Sequence, residues 1–197
     1  SAGTPSPGGG SVAALAGALG AAMACMAARF TLGRKKFKQV EAEVQRLLDE
    51  CLSARDALLR LVEEDAKAYA YVSEAYGMAK DTPEQKRARD EAIQKALGKA
   101  MTPPLEIVRV CRAAVCAVDA LADSANPNLI SDVGVAAILL DAALRAAKFN
   151  VEVNLEGLKD EKGVAACRQE IGAAAAESAA LALRTTRKVA RAIGGSE

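Results

Sequence analysis

Histidine and tryptophan are both absent from the 197 residues, and aromatic residues of any kind make up only 3% of them. Without histidine the chain lacks the commonest general base and the commonest metal ligand, so proton transfer would fall to Asp, Glu, Lys, Tyr or Cys. Net charge is scarce as well: 26 basic and 25 acidic side chains leave +1. No global field selects nucleic acid or a membrane surface, and no basic stripe is interleaved with aromatics. The five cysteines, Cys25, Cys51, Cys111, Cys116 and Cys167, form no CxxC pair and are odd in number. That argues against a zinc site and against a disulfide framework. They read as small apolar core residues of a reducing, cytoplasmic compartment, and no secretory signal is visible.

What is abundant is Ala, Leu and Val: hydrophobic residues make up 51% of the chain and charged residues 26%. This is a globular balance, suited to a single domain over residues 1–197. Between Val12 and Ala28 there is no charge, but the run is mostly Ala and Gly. A membrane span needs about 20 strongly apolar residues, and a phosphate loop needs a preceding strand and a Gly-Lys-Ser/Thr ending. Neither pattern is met. "PGGGSVAALAGALGAAM" reads instead as a loop, an N-cap at Ser11, and a helix whose small side chains admit close neighbours.

No segment alternates with period two, so strands are not expected. Five helical stretches are. The first covers about 10–30. A turn with Arg34, Lys35, Lys36 and Lys38 leads to a long second helix over about 37–77. Thr82 as N-cap and Pro83 at the first helical position start the third. It is expected to break at Pro103-Pro104 and resume over 105–123. The fourth covers about 132–155, and the last ends near Ile193. The fold class is all-α, an antiparallel bundle of about five helices, one of them very long.

The second helix has an informative register. Val40, Val44, Leu47, Cys51, Ala54, Leu58, Leu61, Asp65, Ala68 and Val72 alternate steps of four and three, a core-facing stripe. Asp65 is its one polar member. A carboxylate there is costly unless paired or protonated, so it is functional, or matched by a Lys or Arg of a neighbouring helix, or placed where the stripe swings to solvent near the helix end. In the fourth helix Asp132, Ala136, Leu139, Ala143, Ala146 and Asn150 keep the same spacing. Asp132 or Ser131 would serve equally well as a cap. Asn150 and Asn154 lie one turn apart and share a face.

"TPSPGGGSVAALAGALGAAM", "GRKKF", "EEDAKAY" and "NPNLISDVGVAAILLDAALRAAKFNVEVNL" together resemble the formiminotransferase-cyclodeaminase family, over nearly the whole chain and in order. The resemblance takes in both its cyclodeaminase domain and stand-alone methenyltetrahydrofolate cyclohydrolases. It implies a helical homodimer acting on a folate-bound one-carbon unit with no metal and no organic cofactor. The family's catalytic Asp falls on Asp65, the residue that the heptad pattern singles out separately. The resemblance makes Asp132 a candidate for the pterin, through the amino and ring N–H donor pair that one carboxylate can accept. Asn150 and Asn154 are further candidates for substrate contact. Arg34, Lys35 and Lys36 are the nearest cations for an anionic glutamate tail, or else a solvated turn. Gly9, Gly10 and Ser11 would offer N–H groups at a helix start, or only let two subunits approach.

Family members usually carry a short helix before the glycine loop; the sequence does not tell whether one is missing here. A separate formiminotransferase is a candidate partner; no nucleic acid and no membrane are expected. Water and ammonia chemistry are not separated by the sequence. The competing reading is a non-catalytic helical dimerisation module, which would gain nothing from a carboxylate at Asp65.

Overall fold

Small side chains decide where the first helix sits. The computed structural model describes residues 7–194, so the start of the expected Pro/Gly loop, residues 1–6, lies outside the described residues. The α-helices are α1 (Gly9–Arg29), α2 (Glu41–Gly77), α3 (Pro83–Ser124), α4 (Ile130–Glu156) and α5 (Glu161–Ala192). Short 3-10 turns over Lys35–Val40 and Pro127–Leu129 precede α2 and α4. Among the described residues there is no strand.

α1 has the length and apolarity of a membrane span, with a mean hydropathy of 1.8 over its most apolar stretch, yet 61% of that stretch is buried inside the protein. It packs against α2, α3 and α4, which only a helix of small residues can do at such close range. A Cβ on Gly17 would stand 2.9 Å from Cys111 Sγ and 3.1 Å from Leu58 Cδ1, and one on Gly20 would stand 3.1 Å from the Ala136 carbonyl. The α4 face carrying Ala136, Leu139, Ala143 and Asn150 is therefore the one turned to α1.

The α2 stripe behaves as its spacing predicts. Val44, Leu47, Cys51, Ala54, Leu58, Leu61 and Ala68 are buried, and each large aliphatic side chain removed from water contributes about 1.5–3 kcal/mol. Burial pushes the Cys51 and Cys111 thiols up to about 12, so both stay protonated core residues rather than nucleophiles.

α3 is where the structure departs from expectation. It runs unbroken for 42 residues, five more than α2, with Pro103 and Pro104 inside it. Each proline removes the N–H that would bond the carbonyl four residues earlier. The carbonyl so released at Ala100 accepts from Asn154 Nδ2 of α4 at 3.4 Å. Both proline rings are buried, so packing and a borrowed donor offset the lost ladder bonds. The start of α3 matches the sequence: Thr82 caps it with Gln85 in a reciprocal box.

Contacts between helices fix the directions. Ser11 meets Val62, Ala100 meets Asn154, and Ser178 meets Asp141, so α1, α3 and α5 run one way and α2 and α4 the other. α5 is tied alongside α3 by Arg109–Glu170, Arg112–Glu177 and Arg184–Asp119. Burial opposes the charge on Asp119, but hydrogen bonds from Arg184 and Thr185 hold its pKa below the usual carboxylate value.

Gly17→Val should destabilise the protein by about 1–3 kcal/mol through overpacking. Gly98→Ala, in α3 with nothing within 4 Å of the new methyl, should stabilise it by about 0.5–1 kcal/mol. Thermal unfolding of the two variants checks this; shifts of the same sign would contradict the close packing of α1.

Candidate active site

α1 begins short. At the level of Gly9, α2 and α3 run on as a hairpin and α4 continues beside them. The step leaves a cleft of about 310 Å³, lined by the Gly8–Gly9–Gly10 backbone, by Asp65, Ala66, Tyr69, Val72 and Tyr76 of α2, by Leu97 and Ala100 of α3, and by Asn150, Val153 and Asn154 of α4. That volume lies at the lower end of the range typical of small-molecule sites.

Asp65 stands where the core opens into this cleft and is half-buried. No Lys or Arg is within ion-pair distance of it among the described residues, so the structural ion pair considered from the sequence does not form. Ser11 takes that place. Its backbone N–H donates to Asp65 Oδ2 at 2.7 Å, and its hydroxyl lies 2.9 Å from both Oδ2 and the Val62 carbonyl. Ser11 is not the N-cap: α1 starts at Gly9 with Gly8 as cap residue, and no side chain caps it locally. The carboxylate of α2 instead satisfies an orphan N–H of α1's first turn, and the positive end of the helix dipole favours its charge. Oδ1 accepts no hydrogen bond among the described residues and is the oxygen left for chemistry.

The glycines answer to this geometry. A Cβ on Gly10 would fall 2.1 Å from Asp65 Oδ1, and one on Gly9 would fall 2.9 Å from Asn150 Oδ1. Only a bare backbone fits against both side chains. Asn150 Nδ2 donates to the Ala146 carbonyl and Asn154 Nδ2 to the Asn150 carbonyl, each at 2.9 Å. Their amide oxygens accept no hydrogen bond among the described residues.

The sequence reading named Asp65, Gly9, Gly10, Ser11, Asn150 and Asn154, and the fold gathers all six at this one place. It missed the walls. Tyr69 and Tyr76 supply the cleft's aromatic surface, and two of the chain's three tyrosines are thus spent here. A signal was available: Tyr69 lies one helical turn beyond Asp65, on the same face.

The other expected residues stand elsewhere in the chain. Asp132 is in the first turn of α4, 18 positions before Asn150 and so about 27 Å away along the axis. Neither it nor Ser131 caps α4, which starts at Ile130. Arg34, Lys35 and Lys36 follow the far end of α1 and are exposed. Within one chain, the cleft and this second group occupy opposite ends of the bundle. Among the described residues the cleft is lined by no cation, and no three His, Cys, Asp or Glu side chains stand close enough together to hold a metal ion.

With this geometry in hand, the chain can be set beside known proteins. The family model described as formiminotransferase-cyclodeaminase matches residues 1–173. A methenyltetrahydrofolate cyclohydrolase of Methylorubrum extorquens is 40% identical over 177 residues, covering 90% of this chain and 85% of that protein. The formimidoyltransferase-cyclodeaminase of Mus musculus is 38% identical over 155 residues, but this chain spans only 29% of its length. A crystal structure of formiminotetrahydrofolate cyclodeaminase from Thermotoga maritima superposes with a TM-score of 0.78 at 30% identity, covering 98% of this chain and 90% of that one.

Gly10→Ala should displace the Asp65 carboxylate, since the added methyl overlaps it. A misplacement of about 1 Å can cost on the order of 10²-fold in turnover, and that loss is expected in a protein with unchanged helical content. Wild-type turnover in this variant would show that the position of Asp65 does not matter.

Proposed function

The chain belongs to the formiminotransferase-cyclodeaminase family, and from that premise we propose how its cleft acts on the one-carbon unit. The protein is a folate one-carbon enzyme, a formimidoyltetrahydrofolate cyclodeaminase or methenyltetrahydrofolate cyclohydrolase. In our proposal Asp65 Oδ1 faces the reacting carbon. What supports this most is a carboxylate with one oxygen fixed by Ser11 and, among the described residues, the other without a hydrogen bond and no cation beside it.

Both reactions of the family pass through the same kind of carbon. In hydrolysis, water adds to the cationic carbon between N5 and N10 of 5,10-methenyltetrahydrofolate. Oδ1 accepts a proton from that water, giving a tetrahedral carbon. Returning that proton to N5 as the C–N5 bond breaks, with the remaining hydroxyl proton released to solvent as the C=O forms, yields 10-formyltetrahydrofolate. In deamination, N10 of 5-formiminotetrahydrofolate attacks the carbon of the protonated formimino group, –CH=NH2⁺. Oδ1 takes the N10 proton and gives it to the departing ammonia, leaving the methenyl cation. One general acid–base suffices for each, and a fixed carboxylate also stabilises the positive carbon electrostatically.

The walls suit the rest of the substrate in this reading. Tyr69 and Tyr76 offer aromatic faces to the flat rings. Asn150 and Asn154 offer amide oxygens to ring and exocyclic N–H groups. Of the two reactions we put hydrolysis first, because the similarity to the Methylorubrum cyclohydrolase extends over 85% of that protein at 40% identity. A homodimer, a cytoplasmic location and, for the deaminase reaction, a separate formiminotransferase complete the proposal. The location draws support from five free cysteines.

Each substrate offered separately to the purified protein tests the reading. The methenyl chromophore should decay faster than its uncatalysed hydrolysis when 5,10-methenyltetrahydrofolate is supplied. It should appear from 5-formiminotetrahydrofolate only if the deaminase reaction operates. No acceleration of either conversion would overturn the proposal.

A further inference from the structure

At the outer end of the cleft one arginine holds one tyrosine. α2 ends at Gly77 with no basic residue in its last turn, so its own sequence brings neither donor nor positive charge to its final carbonyls. Arg89, in the second turn of α3, supplies both from across the hairpin. Its Nη2 donates to the Tyr76 carbonyl at 3.2 Å, and its guanidinium carbon lies 5.6 Å from the centre of the Tyr76 ring, within the range of a cation–π contact. A single side chain thus grips both the backbone and the ring of one residue.

No ion pair accounts for where Arg89 points. Among the described residues no carboxylate stands within ion-pair distance of it, whereas the exposed Arg87, two positions earlier, pairs with Glu91 at 3.4 Å. Arg89 Nε is buried and donates to no acceptor among the described residues. A buried donor left unmade is costly, and turning the long side chain out to water would relieve that cost. The two contacts to Tyr76 are what keep it in place.

Tyr76 lines the cleft, and Arg89 does not. The ring is 51% exposed and stands 11 positions beyond Asp65, about 16 Å along α2, while Tyr69 lies only one turn from the carboxylate. A ring at that distance meets the part of the folate remote from the reacting carbon, where a contact is equal in ground and transition states. A half-exposed ring with no anchor samples several rotamers, and ordering it on binding counts against affinity. Anchored on Arg89, the ring is ordered before substrate arrives.

We infer that Arg89 is a positioning residue of the active site: through the carbonyl and ring of Tyr76 it presets the outer aromatic wall on which the folate rests, without touching the substrate itself. This rests on the reading of the cleft as the folate site.

A double-mutant cycle tests it. Arg89→Ala, Tyr76→Ala and the double variant are assayed on the folate that the wild type converts, with Tm and helical content measured on each preparation. Arg89→Ala should raise KM about 3–10-fold and leave kcat unchanged. In the Tyr76→Ala background no ring remains to position, so the same substitution should leave KM where Tyr76→Ala alone puts it. KM effects that multiply would overturn the proposal, because Arg89 would then act independently of the ring. So would a lower Tm with wild-type KM, the mark of a merely structural clamp. Proton NMR gives a readout that needs no substrate: the ring current of Tyr76 should displace the Arg89 side-chain resonances, and Tyr76→Ala should return them to ordinary positions. Arg89 resonances that Tyr76→Ala leaves unmoved would also overturn the proposal. If the wild type turned over neither folate while the ring-current displacement was present, the functional reading would fail and the proposal with it, an outcome distinct from a failed cycle in an active enzyme.

Discussion

The contact between Ser11 and Asp65 is the constraint on which the rest of the molecule depends. It joins the first turn of α1 to the middle of α2, and it uses the N–H that a helix start leaves without an internal partner. Bringing a helix end this close to a side chain excludes any Cβ at Gly10. Holding α1 in that position requires that it pack against α2, α3 and α4 at once, which in turn demands the Ala and Gly that fill its sequence. The long charge-free run thus answers to packing, with 61% of its most apolar stretch buried inside the protein. The half-burial of Asp65 follows as well, since the carboxylate sits where α1 stops and the core gives way to the cleft.

The cleft's polarity has a chemical logic. A site for a cationic carbon is served by one ionised oxygen and harmed by a neighbouring Lys or Arg, and none lines it among the described residues. The substrate's anionic tail has the opposite need. Within one chain the Asp65 carboxylate and the exposed Arg34, Lys35 and Lys36 stand at opposite ends of the bundle. The Pro pair in α3 belongs to the same construction, because the carbonyl it frees at Ala100 is bonded by Asn154, a residue of the cleft wall.

Much of this was legible in the sequence, for identifiable reasons. A strict four-three register makes a misplaced carboxylate stand out, so Asp65 could be found from pattern alone and again from the "EEDAKAY" resemblance. The helix starts at Thr82 and Pro83 were legible because their capping chemistry is local. Two things were not. The continuity of α3 through Pro103 and Pro104 depends on a donor 54 residues away, which no local rule supplies. The role of Ser11 was misread as a local cap because its partner lies on another helix. Tyr69 and Tyr76 went unremarked since walls have no motif, although their spacing from Asp65 marked the face. Asp132 and the basic turn were named as substrate residues without any means of seeing that α1 and α4 carry them to the far end.

The account stands on Asp65 acting as the proton carrier, and the Asp65→Asn variant examines that directly. Asn keeps the size of the side chain and an oxygen to accept from Ser11, but it cannot exchange a proton at neutral pH. Losing the charge at the α1 N-terminus should lower stability by about 1 kcal/mol or less. Losing general acid–base catalysis should lower kcat by about 10²–10⁴-fold. Measuring kcat and Tm on one preparation gives both numbers. The account predicts a large fall in kcat with Tm nearly unchanged; wild-type kcat in a variant with a markedly lower Tm would contradict it.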